Sequence, residues 1–153
     1  MSYWDWAVKA HGRDGVDAAL TDLQDRHGQC VAYLLWAAWA AHEGRPLSAE
    51  ILSQGAALAK RWEGAATMPL RSARRHLKTP APPIPDEARE ALREQVRKVE
   101  FAAERLLMET LEGLAPKPEG GAGDTAEALN AAATAWSRNV PEAELANIAA
   151  LIG

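Results

Sequence analysis

The chain has 153 residues, with Ala, Leu, Glu and Arg dominating and Phe and β-branched residues scarce, which favours helix by intrinsic propensity. A formal charge of −4 argues against general nucleic-acid binding, and a single cysteine, Cys30, excludes an intrachain disulfide or a cysteine-rich zinc site. The opening residues carry neither a basic leader nor an apolar signal core, so a cytoplasmic protein is expected.

Taken in order, Ser2 with Asp5 forms a capping-box pattern, and a short helix is predicted from there to His11-Gly12. Val16, Leu20 and Leu23 recur at helical spacing within a second helix over 14–27, which Gly28 ends in the left-handed conformation. The run from Cys30 to Ala41 is free of charge and amide and carries Tyr33, Trp36 and Trp39. It is too short for a membrane span, which needs about 20 apolar residues, so it reads as the buried central helix, over about 30–42. Ser48 caps the next helix, with Ile51, Leu52, Leu58 and Trp62 as inward candidates. Pro69 opens a short basic helix.

Four prolines within 79–85 make a stiff connector, and Asp86 starts the longest helix, running to about Leu114. On it Leu92, Val96, Val99, Ala103 and Leu106 repeat at 4-3-4-3, an apolar seam that needs a partner surface within the chain or on a second copy. A Gly-rich loop at 116–123 precedes Asp124 with Glu127, a second capping signature, and the Ala-rich helices of 124–153. The expected fold is all-α, a single-domain bundle of six or seven helices around the central one.

Several blocks arrive together: Trp4-Asp5-Trp6-Ala7, Leu23-Gln24-Asp25-Arg26-His27-Gly28-Gln29, Leu34-Leu35-Trp36, and Pro69-Leu70-Arg71 running through Arg74-Arg75-His76-Leu77-Lys78. With Leu92–Val96 and Glu104–Leu107 they make the chain, over roughly residues 3 to 115, resemble a family of short proteobacterial proteins known only as a conserved domain of unknown function. The resemblance implies a small cytoplasmic helical protein and carries no catalytic residue.

No phosphate-binding loop, dinucleotide fingerprint, CxxC or GxSxG stands in the chain, and His42-Glu43 lacks the second histidine of HExxH because position 46 is Pro46. No catalytic residue, metal ligand or cofactor is therefore expected, and the reading leans away from an enzyme without excluding one. Three features remain. Gln24, Asp25, Arg26, His27 and Gln29 form a polar junction between two helices; they either satisfy the exposed helix ends or face a ligand, with His27 able to titrate near neutrality. Lys60, Arg61, Arg71, Arg74, Arg75 and Lys78 set six cations against the single acid Glu63. That basic helical surface either pairs with acids of the 86–112 helix or binds a protein partner or an anion. The tryptophans either fill the core or line a pocket near Gln24, Asp25 and His27. The expected function is binding or regulation through a protein partner at 60–78. The alternatives are a small-molecule binder or enzyme with that aromatic pocket, and a structural homo-oligomer held through the 86–114 helix.

Overall fold

A computed structural model of the chain describes all 153 residues, Met1–Gly153. It is all-helical: α1 (Tyr3–His11), α2 (Val16–His27), α3 (Val31–His42), α4 (Ala49–Trp62), a π-helical turn (Glu63–Thr67), α5 (Met68–His76), α6 (Asp86–Leu114), α7 (Thr125–Trp136) and α8 (Glu142–Ile152). Because α4, the π turn and α5 run on without interruption, the chain forms seven helical rods. Pro69 was expected to begin a separate helix, yet the rod passes through it. Proline has no N–H for the carbonyl four residues back, and its ring presses on that carbonyl. The wider turn, in which the Met68 N–H reaches Glu63 O, lets the helix continue. No helix is long and apolar enough to cross a membrane.

Local signals set most boundaries. Ser2 accepts from the Asp5 N–H while its hydroxyl donates to the Asp5 carboxylate at 2.7 Å. Ser48 takes the Ile51 N–H and Asp124 the Glu127 N–H. Gly28 ends α2 at φ 61°.

The chain divides into two compact units, Met1–Ala59 with Met108–Gly153, and Lys60–Leu107. In the first, every residue of α3 from Tyr33 to Ala40 is buried. A helix that is apolar all round must be enclosed on all sides; α7 covers α3 most extensively, with α1 and α2 on other flanks. Leu52, Gly55, Ala56 and Ala59 form the buried face of α4, whereas Ile51 and Leu58 are only half-buried. Gly55 sits there because Trp36 leaves no room: an added Cβ would lie 2.6 Å from Trp36 Cζ3. Most polar tips of the aromatics find backbone carbonyls. Tyr33 OH donates to Leu52 O at 3.0 Å, Trp39 Nε1 to Met1 O at 3.1 Å and Trp136 Nε1 to Gly28 O at 2.9 Å. Only the last of these reaches the polar junction.

In the second unit α6 does not bury the seam its 4-3-4-3 pattern suggests. Arg89, Glu100, Ala103 and Leu107 are buried, while Leu92, Val99 and Leu106 are 50%, 53% and 54% exposed. The inward face is thus turned from the expected one, and it carries two charged residues.

Gly55→Ala tests the closeness of α4 to α3. Alanine is favoured over glycine in a helix by about 1 kcal/mol, but overpacking costs about 1–3 kcal/mol. The variant is expected to lose about 1–2 kcal/mol net in urea denaturation, whereas a gain would show that the Trp36 ring yields freely.

Candidate functional site

The six cations singled out in the sequence all lie in the second unit, and the structure separates them into two groups. Arg71 and Arg74 project from one side of α5, three residues apart, onto the Glu100 carboxylate of α6. Arg71 Nε lies 3.2 Å from Glu100 Oε1, and Arg74 Nε donates to Oε2 with its Nη2 3.4 Å from Oε1. Glu104, one turn further along, accepts from Arg71 Nη2 at 3.3 Å. The Glu100 side chain is 9% exposed and that of Arg71 14%, so these charges are largely withdrawn from water. Burial pushes the Glu100 carboxyl up, but the bonds and charge of Arg74, then Arg71, outweigh it and hold the group below its ordinary value. The same bond raises Arg74 above its ordinary value.

Lys60, Arg61, Arg75 and Lys78 remain at the surface. A further cation that sequence reasoning missed completes the unit. Arg89, 7% exposed, donates through Nη1 to Leu77 O at the end of α5 and through Nη2 to Asp86 at 3.3 Å. Nothing in the residues around Arg89 marks it as buried; its role follows from the chain doubling back through the proline-rich connector.

These observations bear on the family. The family model for "Protein of unknown function (DUF2390)" matches residues 2–111. The chain belongs to that family. The match takes in the whole 60–107 unit and the polar junction, and it ends before α7 and α8. No curated protein and no solved structure matches the chain.

The polar junction lies in the first unit. Gln29 N–H bonds Leu23 O at 3.1 Å, closing the end of α2, and the buried Gln29 amide nitrogen reaches back toward His27 O at 3.5 Å. Arg26 pairs with Asp22 at 3.2 Å, four residues back on α2. His27 Nε2 stands 3.4 Å from Glu144 of α8 and 3.7 Å from Asp22, so α2 and α8 meet through it. Asp25 and Arg26 are exposed and Gln24 is half-buried. Asp22, His27 and Glu144 bring their donor atoms within 4.8 Å of one another, a set of one imidazole and two carboxylates that a divalent ion can use; Arg26 engages Asp22 in this structure. Tyr33, Trp36 and Trp39 are fully buried and offer no ring surface to a ligand.

Glu100→Ala removes the acceptor of two arginines and leaves their charges half-buried. It is expected to lower stability by about 2–3 kcal/mol at neutral pH in urea denaturation. The sign with pH follows from the lowered carboxyl. The contribution is complete above the ordinary carboxylate range and is lost as pH falls through the lowered value. The gap between wild type and variant should therefore narrow below about pH 4; a gap independent of pH would show that the ion pair is not its source.

Proposed function

We propose that the chain is a non-enzymatic protein-binding module of the bacterial cytoplasm, regulatory in role, whose partner docks on the 60–107 unit. The observation that carries this is the distribution of exposed apolar side chains. Of eight large ones at the surface, six (Met68, Ile84, Leu92, Val99, Phe101 and Leu106) belong to that unit, which is less than a third of the chain. Scattered apolar residues need no explanation, but four of these six, Leu92, Val99, Phe101 and Leu106, stand on the single helix α6, a density that favours an interaction surface.

Leu92, Val99 and Leu106 repeat at seven residues along α6 and so lie nearly in line. The exposed cations Lys60, Arg61, Arg75 and Lys78 belong to the same unit and give an acidic partner its electrostatic complement. Arg71 and Arg74 bond Glu100 and are largely withdrawn from water, so only the exposed cations of the unit are open to a partner. The seven-residue repeat also favours a second reading, self-association of two copies through α6.

Val99→Glu with Leu106→Glu changes two half-exposed positions and should leave helix content unchanged by circular dichroism. Affinity capture from a cell extract is expected to lose the partner with this variant, and to weaken it about tenfold with Arg75→Glu and Lys78→Glu. Capture undiminished by both variants would overturn the reading. Light scattering decides between partners: a wild-type dimer that the Val99→Glu, Leu106→Glu variant dissociates is the result expected of self-association.

A further inference from the structure

The first unit contains a groove that nothing in the sequence announced. It has a volume of about 510 Å³, within the span of small-ligand sites, about 300–1,000 Å³. Its floor is small and apolar: Ala37 and Ala41 of α3 with Ala128 and the more exposed Ala131 of α7, and Leu52 of α4 alongside. Larger side chains at those four positions would close the gap between the helices.

The wall opposite is the Gly-rich segment 116–123, and it is stitched in place. Gly123 N–H donates to Ala41 O at 2.8 Å, Glu119 N–H to Gly44 O at 2.9 Å and Arg45 Nη1 to Pro116 O at 2.9 Å. Gly44 has φ +64°, and a Cβ there would collide with the Gly120 and Gly121 carbonyl oxygens, so only glycine lets the loop approach this closely. A wall already fixed spares a ligand the cost of ordering it.

Charge selects the occupant. Three carboxylates, Glu119, Asp124 and Glu127, line the groove against one cation, Arg45. Arg45 is engaged: besides its bond to Pro116 O, its guanidinium lies over the Trp39 ring, 4.9 Å from the centroid. Asp124 is occupied in capping α7. Glu119 and Glu127 are exposed at the mouth, and neither side chain takes part in an ion pair. An anionic ligand would meet unopposed carboxylates there, whereas an ammonium group brings up to three donors to them.

We propose that this groove binds a small organic cation, a protonated amine on an apolar body, with Glu119 and Glu127 holding the ammonium and the alanine floor taking the hydrocarbon. The site is built in the first unit and is independent of partner docking on residues 60–107. Its α3 side lies within the family match and its α7 side beyond it, so ligand preference is set in part by the segment after residue 111.

The test is an amide NMR titration of the full chain with a matched set: hexylamine, hexanol and hexanoate. Hexylamine is expected to shift the amides of Ala41, Gly123 and Ala128 saturably, with hexanol about tenfold weaker and hexanoate weaker still. Glu119→Gln with Glu127→Gln should weaken hexylamine about tenfold and leave hexanol unchanged. Ala128→Phe, which puts a ring at a half-buried lining position, should abolish both. Groove amides that do not shift saturably, hexanoate binding as well as hexylamine, or hexylamine binding unaltered by the double substitution would each overturn the proposal.

Discussion

Every side of α3 has to be covered, and most of the first unit exists to cover it. Its buried stretch from Tyr33 to Ala40 is about two helical turns long, so its side chains point to every side of the axis and no single neighbour can enclose it. Burying each large side chain is worth roughly 1.5–3 kcal/mol, and that gain is kept only if the polar tips are satisfied too. They are satisfied almost wholly by main-chain carbonyls: Ala32 for Tyr3, Leu52 for Tyr33, Met1 for Trp39 and Gly28 for Trp136. The Trp36 Nε1 has no hydrogen-bond partner. The same enclosure shapes the groove. Where α3 turns from tryptophan to Ala37 and Ala41, its neighbour α7 also offers alanines, and the space between them is left open.

The second unit obeys an electrostatic constraint instead. Glu100 is a carboxylate with almost no access to water, and it is tolerable only with Arg71 and Arg74 against it. That arrangement turns α6 so that Arg89, Glu100, Ala103 and Leu107 are inside and three of the five seam residues face out. A surface of exposed Leu92, Val99 and Leu106 is thus a consequence of where the charges went.

The polar junction illustrates a third pattern. Gly28, Gln29, the Arg26–Asp22 ion pair and the His27–Glu144 contact close one helix and join it to α8, which is the ordinary fate of polar groups at a helix end. Its convergence of Asp22, His27 and Glu144 depends on α8, a helix more than a hundred residues further along the chain, and no local pattern indicates it.

What the sequence determined by itself is whatever depends on near neighbours. Ser2, Ser48 and Asp124 cap the N–H groups three residues on, Gly28 adopts the left-handed turn, and the uncharged run after Cys30 becomes a buried helix because nothing in it can face water. Family membership was legible for the same reason, since it rests on blocks of adjacent residues. Only the tertiary structure decided which face of α6 turns inward, that Arg71 and Arg74 are consumed by Glu100 while Lys60 and Lys78 stay exposed, and that four alanines on two helices enclose a groove. Spacing along one helix shows which side chains share a side. It cannot show what stands opposite, and burial, charge pairing and cavities are all properties of what stands opposite.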